Sequence, residues 1–154
     1  MVINTAGWLH EGGRGPEKRL QAIQRSGLEQ AFNIHAVAPI PLAKAVAPAL
    51  GHGQPCWFAS LSARVGSIGD NHLGGWYGYR AAKAAQNQLL RTLALEWKRS
   101  LPLACVSLLH PGTTATELSA PFRSAVPAEK LFSPQRAAGH LLDVLAQQTP
   151  DRAA

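Results

Sequence analysis

The chain has 154 residues, 46% hydrophobic and 16% charged, so it is long enough for one domain with a buried core. Its net charge of +6 comes from basic residues scattered along the sequence, which favours a solvated basic surface over a nucleic-acid interface. No apolar run is long enough to span a membrane, and the first residues lack the basic region and long apolar core of a secretory signal. We therefore expect a cytoplasmic protein without nucleic-acid or membrane partners.

Apolar runs alternate between strand-like and helix-like patterns along the chain. Strands are predicted at residues 1–6, 56–61 and 104–109, and helices at 28–50, 76–99 and 134–148. Prolines inside 28–50 predict that this helix is kinked or begins near them, and Ser133 before Pro134 is typical of a helix N-cap. Residues 113–131 look irregular. Strands that alternate with helices indicate an α/β domain with a parallel sheet.

The predicted helix over residues 76–99 carries one apolar stripe. The stripe consists of Leu89, Leu90, Leu93, Ala94 and Trp97. Gln86, Arg91 and Lys98 fall outside this stripe. We therefore expect these polar residues to lie away from the core.

The cysteines, histidines and tryptophans give no sign of a metal site or a disulfide. Cys56 and Cys105 lie in apolar strand-like runs, which favours buried free thiols and a cytoplasmic setting. The histidines show no metal-ligand spacing, and we expect ordinary surface or turn positions for His35, His72 and His110. Core or pocket-wall positions are expected for the four tryptophans, which are Trp8, Trp57, Trp76 and Trp97.

Tyr79 and Lys83 are four residues apart in the predicted helix and therefore lie on the same face. A lysine ammonium beside a phenol stabilises the phenolate and lowers the tyrosine pKa towards neutrality. Such a tyrosine can exchange a proton with an alcohol or a carbonyl oxygen. By itself the spacing is equally typical of a surface pair on an amphipathic helix.

Four segments occur in an order that resembles the short-chain dehydrogenase/reductase family, from the fourth strand of its Rossmann sheet onward. They are Asn4-Thr5-Ala6-Gly7, Asn33 within Ala31-Phe32-Asn33-Ile34, the Tyr79-to-Lys83 motif, and Pro111-Gly112-Thr113-Thr114-Ala115-Thr116. Residues 62–71 and 74–77 are similar to the branch named after the bacterial C-factor, to which the carbonyl-reductase-like Sniffer proteins are close.

The resemblance implies a partial Rossmann-type parallel sheet flanked by helices, and hydride transfer between the nicotinamide of NAD(P) and a carbonyl or alcohol. Tyr79 would be the general acid or base, and Lys83 would lower its pKa and bond the cofactor ribose. Asn33 would support a water that links Lys83 to solvent. Ser62 would hold the substrate oxygen, although aligning on Gly66 puts Ala63 where the family has its serine. Without the family, Asn33 and Ser62 read as residues that bond nearby backbone.

The resemblance also implies a cofactor, NADP in preference to NAD, and a small-molecule carbonyl or alcohol substrate. The implied cofactor-binding residues are Asn4, Ala6, Gly7, Tyr79, Lys83, Pro111, Gly112, Thr113 and Thr116. A homodimer through the helices at 28–50 and 76–99 is a further expectation. No metal is implied.

Two parts of the family pattern have no counterpart in the sequence. No Thr-Gly-x-x-x-Gly-x-Gly phosphate loop follows a strand, and the last strand of the sheet is not found. We therefore expect residues 1–154 to form one partial domain. An alternative follows, in which the chain is a non-catalytic remnant that serves as an interaction or dimerisation module.

Overall fold

The computed structural model describes residues 1–13 and 15–149. The strands are β1 (Val2–Asn4), β2 (Cys56–Leu61), β3 (Ala104–Leu109), β4 (Thr113–Thr114) and β5 (Leu131–Phe132). The α-helices are α1 (Arg25–Phe32), α2 (Pro39–Leu50), α3 (Tyr77–Ser100) and α4 (Pro134–Ala146). Short 3₁₀ segments lie at Leu20–Ala22, Arg64–Gly66, Glu117–Ala125 and Ala128–Lys130.

The main sheet is parallel and has the order β1-β2-β3. Val2 is opposite Phe58, and Cys56 is opposite Ala104. Helices connect β1 to β2 and β2 to β3, because parallel neighbours need a long crossover. This arrangement confirms the predicted fold class, a partial Rossmann-type sheet flanked by helices.

The two faces of β2 pack against different helices, since successive side chains of a strand point to opposite faces. Phe58 is fully buried and belongs to a cluster with Leu90 and Trp97 of α3. On the other face Ala59 packs in a second cluster with Leu145 of α4. The sheet is therefore covered by helices on both sides, as the near-continuous apolar strands require.

The helical region between residues 28 and 50 contains a π-helical turn at Asn33–Val37, and α2 begins at Pro39, as one of the two predicted outcomes required. The Ala38 amide donates to the Asn33 carbonyl at 2.9 Å, one residue further back than in an α-helix. Pro39 cannot donate to the carbonyl of His35, and its ring would clash with that group in a regular helix. The wider turn avoids this clash, so the helix continues past the proline.

The apolar stripe predicted for α3 is only partly right. Leu90 and Trp97 are buried as expected. Leu89, however, is 39% exposed, and Gln86 is only 1% exposed although it was expected away from the core. Leu90 is buried at this point of the helix and Leu89 is not, so Leu89 does not belong to the buried face. Near Gln86 the buried face is polar.

Other sequence expectations concern single features. Ser133 caps α4, since its hydroxyl accepts from the Arg136 amide, and both cysteines are buried free thiols. Residues 113–131 are largely irregular, with only short strand and 3₁₀ pieces. Within residues 1–13 and 15–149, no helix is both long and apolar enough to cross a membrane.

Candidate functional site

The site begins where β1 and β2 end. The side-chain amide of Asn4 donates to the Ser60 hydroxyl at 3.0 Å, and its oxygen accepts from the Ala6 amide at 3.1 Å. The second bond turns the chain out of β1, which explains why this strand is shorter than predicted. The ends of the two strands are thus held together at the carboxyl edge of the sheet, where ligands bind in open α/β folds.

The start of α3 is held by a residue distant in sequence, Glu17. Its carbonyl accepts from the Trp76 amide at 2.5 Å, and its carboxylate accepts from the Gly78 amide at 3.2 Å. A carboxylate at this position satisfies an orphan helix donor and complements the helix dipole. Glu17 therefore fixes the position of the first turn of α3, which carries Tyr79. Sequence reasoning missed it, since no local pattern marks a cap sixty-one residues away.

Lys83 is buried, with 3% of its surface exposed. Its ammonium donates to the Leu61 carbonyl at 2.7 Å and to the side-chain oxygen of Gln86 at 3.0 Å. Within the part of the chain that the structure describes, no carboxylate forms an ion pair with it. Burial lowers the pKa of Lys83 to about 8.

Tyr79 lies among aromatic rings, and the Lys83 ammonium lies over its ring. Its ring meets His35 edge-on, with centroids 5.0 Å apart, and Trp76 at 6.1 Å. Lys83 Nζ is 5.7 Å from the centre of the Tyr79 ring. No residue within 1–13 and 15–149 forms a hydrogen bond with the Tyr79 hydroxyl, so this group has no described partner.

Burial raises the pKa of Tyr79 to about 12. The expected lowering of this pKa by Lys83 is therefore not found in this arrangement. The physical reason is that the Lys83 ammonium is turned towards the Leu61 carbonyl and Gln86, so desolvation of the phenolate dominates. Tyr79 is consequently a protonated phenol at neutral pH.

His35 is a correction to the sequence analysis, which expected a surface or turn residue. It is 1% exposed and forms one wall around Tyr79. Its Nε2 lies 2.6 Å from the Trp8 carbonyl oxygen and 3.3 Å from the Trp8 amide nitrogen, and the shorter contact favours a proton on Nε2. The buried Nδ1 has no described hydrogen-bond partner, and burial lowers the His35 pKa to about 4.

Gln86 connects Lys83 to the strand ends. Its side-chain amide nitrogen donates to the Ser60 hydroxyl at 2.7 Å and to the Leu61 carbonyl at 3.3 Å. The hydrogen bonds therefore run from Lys83 through Gln86 and Ser60 to Asn4. The available sequence signal was the spacing, because Gln86 follows Lys83 by three residues and shares its helix face.

Ser62 and Asn33 are not brought to Tyr79 by any described contact. The Ser62 hydroxyl donates to Asn87 at 2.6 Å, and Ser62 lines a groove with Arg64 and His110. Tyr79 lines a different cleft, together with Trp8 and Glu17. Asn33 is exposed at the start of the π-turn, where its carbonyl accepts from the Ala38 amide.

The turn after β3 lies at the same edge of the sheet. Gly112 has a φ of +73°, and a Cβ there would be 2.9 Å from the Phe132 ring, so glycine is needed. Pro111 and Thr113 beside it are half-buried. Thr116 is exposed at the start of the 3₁₀ segment Glu117–Ala125, where its amide donates to the Ser119 hydroxyl at 3.2 Å.

That 3₁₀ segment packs over the first loop and the start of α3. A Cβ on the exposed Gly7 would lie 3.1 Å from Leu118, and the Phe122 ring is 4.9 Å from Trp76. The Glu117 carbonyl lies 3.0 Å from the His10 ring nitrogen. The segment therefore packs on Trp76 beside Tyr79, while Ala6 and Gly7 are exposed.

The residues at this edge fit the nicotinamide end of a dinucleotide. Lys83 has three N–H donors, two of which bond Leu61 and Gln86. A third donor without a described partner suits a sugar hydroxyl. The turn at Gly112 lies at the same edge, where its backbone is packed closely against the Phe132 ring. The sequence contains no Gly-x-x-x-Gly-x-Gly loop that would bind the phosphates of such a dinucleotide.

Comparison with known proteins defines the class. The family described as short chain dehydrogenase matches residues 1–127. The chain therefore belongs to the short-chain dehydrogenase family, as the ordered motifs indicated.

Three relatives illustrate the similarity. The chain is 33% identical, over 97% of its length and 61% of the relative's, to 1-hydroxy-2-glutathionyl-2-methyl-3-butene dehydrogenase of Rhodococcus sp. strain AD45. It is 32% identical to C-signal of Myxococcus xanthus over 64% of this chain and 58% of that protein. A carbonyl reductase of Pseudomonas aeruginosa PAO1, solved in complex with NADP, has a TM-score of 0.69 and 27% identity, with 99% of this chain and 60% of that one covered.

These relatives agree with the C-factor-like, carbonyl-reductase-like branch inferred from the sequence. The chain spans about three fifths of the length of the relatives it matches.

Proposed function

We propose that the protein acts as an NAD(P)-dependent oxidoreductase of the short-chain type, on a small carbonyl or alcohol substrate. One observation carries this proposal. The unpartnered Tyr79 hydroxyl lies one helical turn from Lys83, a buried cation without a described carboxylate partner. Both belong to the helix that is hydrogen-bonded to the carboxyl end of β2, the edge of the sheet where substrates of α/β enzymes bind.

Tyr79 serves as the general acid for carbonyl reduction. With a pKa of about 12 it holds its proton at neutral pH, and it donates that proton to the carbonyl oxygen as the carbon accepts a hydride. The nicotinamide, when bound, supplies this hydride. The phenolate left on Tyr79 is stabilised by the positive charge of Lys83, and a proton from solvent restores the phenol.

Further roles follow the family pattern. The residues proposed to contact the cofactor, besides Tyr79 and Lys83, are Asn4, Ala6, Gly7, Pro111, Gly112, Thr113 and Thr116. Ser62 is the proposed substrate-side hydroxyl, which requires it to exchange its bond to Asn87 for a substrate oxygen. Asn33 is proposed to support a water near Lys83. NADP is favoured as the cofactor, since the Pseudomonas aeruginosa relative is named as its complex.

The test is an assay of NADPH and NADH oxidation with a panel of aldehydes and ketones. Tyr79→Phe removes the proton donor and should lower kcat by a factor of about 10²–10⁴. Tyr77→Phe is the matched control, because Tyr77 is 41% exposed two residues earlier on the same helix, and it should leave the rate unchanged. Equal rates for Tyr79→Phe and the parent chain would refute the catalytic role of Tyr79.

The alternative is an interaction module without catalysis. It is favoured by apolar side chains left exposed on α3, where Leu89 is 39% and Leu95 51% exposed. Calorimetric titration with NADP(H) and NAD(H), together with sedimentation equilibrium, separates the two proposals. A chain that dimerises and binds neither cofactor would support the module, and submillimolar cofactor binding would reject it.

A further inference from the structure

We propose that Gln86 is a positioning residue for Lys83, and that its side-chain amide anchors the Lys83 ammonium to the paired ends of β1 and β2. The proposal rests on the function proposed above, because Lys83 matters for catalysis only if Tyr79 transfers a proton. Gln86 lies outside the motif that identifies the family, and the sequence pattern alone placed it away from the core.

The hydrogen bonds determine which way the Gln86 amide points. The Leu61 carbonyl can only accept, so the group 3.3 Å from it must be the amide nitrogen. The Lys83 ammonium can only donate, so the group 3.0 Å from it must be the amide oxygen. One orientation of the amide satisfies both neighbours, and in it the nitrogen also donates to the Ser60 hydroxyl.

The same network ties Lys83 to both strands. Ser60 accepts from Gln86 at 2.7 Å and from Asn4 at 3.0 Å, and Asn4 ends β1. Leu61, the last residue of β2, supplies the second acceptor for Lys83. With two N–H donors held, the direction of the third is set by the strand ends.

The acceptor that Gln86 offers to the Lys83 ammonium is uncharged, so it affects the charge of Lys83 differently from a carboxylate. An amide oxygen orients the ammonium yet leaves its charge uncompensated, whereas a glutamate would form an ion pair with it. The titratable side chains that face Lys83 are Tyr79 on its own helix and His35 on the π-turn. Both are neutral at pH 7, and the described residues place no carboxylate there. The charge of Lys83 is therefore not neutralised by any described carboxylate.

The direct test is the titration of Lys83 in the chain without cofactor, followed by ¹³C NMR of lysine side chains. A Lys83→Arg variant assigns the resonance. Gln86→Met keeps an unbranched side chain of similar length but removes the amide acceptor, and Gln86→Glu replaces the amide by a carboxylate. Gln88→Met is the matched control, because Gln88 is exposed on the same helix.

The expected midpoint moves in opposite directions in the two variants. Gln86→Met should lower the Lys83 midpoint by about one pH unit, as expected for loss of one hydrogen bond to a charged group. Gln86→Glu should raise the midpoint by at least about one unit, because an opposite charge favours the ammonium. Gln88→Met should leave it unchanged.

Kinetic measurements on the same variants separate a positioning role of Gln86 from a simple loss of folded protein. Gln86→Met should lower kcat about 10-fold, with a pH profile displaced in the direction of the Lys83 midpoint and little change in KM. An unchanged midpoint in both Gln86 variants overturns the inference. If Gln86→Met does not fold, the Gln86→Glu titration decides alone. A shifted midpoint together with full activity of Tyr79→Phe would instead refute the proposed function and leave the positioning of Lys83 standing.

Discussion

The two halves of α3 bury different kinds of side chain against the same sheet. The first half buries Lys83 and Gln86, whereas the second half buries Leu90 and Trp97. Leu90 and Trp97 pack with Phe58 in the main apolar cluster. Lys83 and Gln86 instead bond to Leu61 and Ser60 at the end of β2.

The difference shows how one helix serves both stability and a candidate site. Each apolar side chain buried in the second half stabilises the fold by about 1.5–3 kcal/mol relative to exposure. Buried polar groups in the first half gain little net stability, because their hydrogen bonds replace bonds to water. The cation without a carboxylate partner even opposes folding. Catalytic potential is thus concentrated where the helix crosses the strand ends, and stability is concentrated beyond it.

Among these predictions, the largest change in the free energy of unfolding is expected from a substitution in the apolar second half of α3. Leu90→Ala should lower the free energy of unfolding by about 2–5 kcal/mol, since Leu90 is fully buried and its loss leaves a cavity. Leu89→Ala, next to it but 39% exposed, should cost less than about 1 kcal/mol. Urea unfolding followed by tryptophan fluorescence measures both. Similar losses for the two variants would show that the buried face of α3 has been misplaced.

The polar half should show itself in the pH dependence of stability. The Lys83 pKa is about 8 in the folded chain and 10.5 as the ordinary value, so the unfolded chain holds this proton over a wider pH range. The contribution of Lys83 therefore opposes folding fully below pH 8, and it is relieved as the pH rises towards 10.5.

Lys83→Met removes this contribution. The free energy of unfolding of Lys83→Met minus that of the parent should therefore decrease by about 3 kcal/mol as the pH rises from about 8 to 10.5. Tyr79, Cys56 and Cys105 also have shifted pKa values, but they are present in both proteins and cancel in the difference. Urea unfolding at intervals of pH provides the measurement, and a difference that stays constant with pH would contradict a buried Lys83 ammonium.

A smaller effect is expected where the loop after β2 touches the polar half. A Cβ on Gly66 would lie 2.9 Å from the Lys83 carbonyl carbon and 3.0 Å from the Asn87 amide nitrogen. Gly66→Ala should therefore destabilise the fold by about 1–3 kcal/mol through overpacking. Gly69→Ala is the control, with no atom within 4 Å of its Cβ, and should be neutral or slightly stabilising. Thermal unfolding distinguishes them, and equal melting temperatures would rule out the close contact.

The smallest effect is expected at the far end of the network. Asn4→Ala removes the bonds to Ser60 and Ala6 and should cost about 1 kcal/mol, because this end of β1 is only partly buried. Thr5→Ala, at the exposed neighbouring position, should change stability by less than about 0.5 kcal/mol. Chemical denaturation again suffices. A neutral Asn4→Ala would mean that the network ends at Ser60.

Local pattern was enough to predict most of the fold. The bounds of β2 and β3 were predicted to the residue, because each is a compact apolar run bounded by residues that end strands. The Ser133 cap and the start of α2 at Pro39 follow from the chemistry of single residues and their immediate neighbours. The shared face of Tyr79 and Lys83 follows from the helical period alone.

The character of the site was decided by contacts between distant segments. Glu17 caps α3 across sixty-one residues, and Gln86 is buried because the end of β2 offers it Ser60 and Leu61. His35 became a wall of the site because the π-turn brings it against Tyr79. No helical or strand period encodes these approaches, since each depends on which surfaces the crossovers press together.

The pKa of Tyr79 shows what residue spacing predicts and what only tertiary packing decides. The sequence determined that a phenol and an ammonium would share one helix face, since that depends only on spacing. Only the tertiary structure decided that Lys83 bonds the strand end and that Tyr79 is desolvated among aromatic rings. Desolvation raises a phenol pKa and an adjacent cation lowers it, so the sign of the shift depends on packing that residue spacing does not contain.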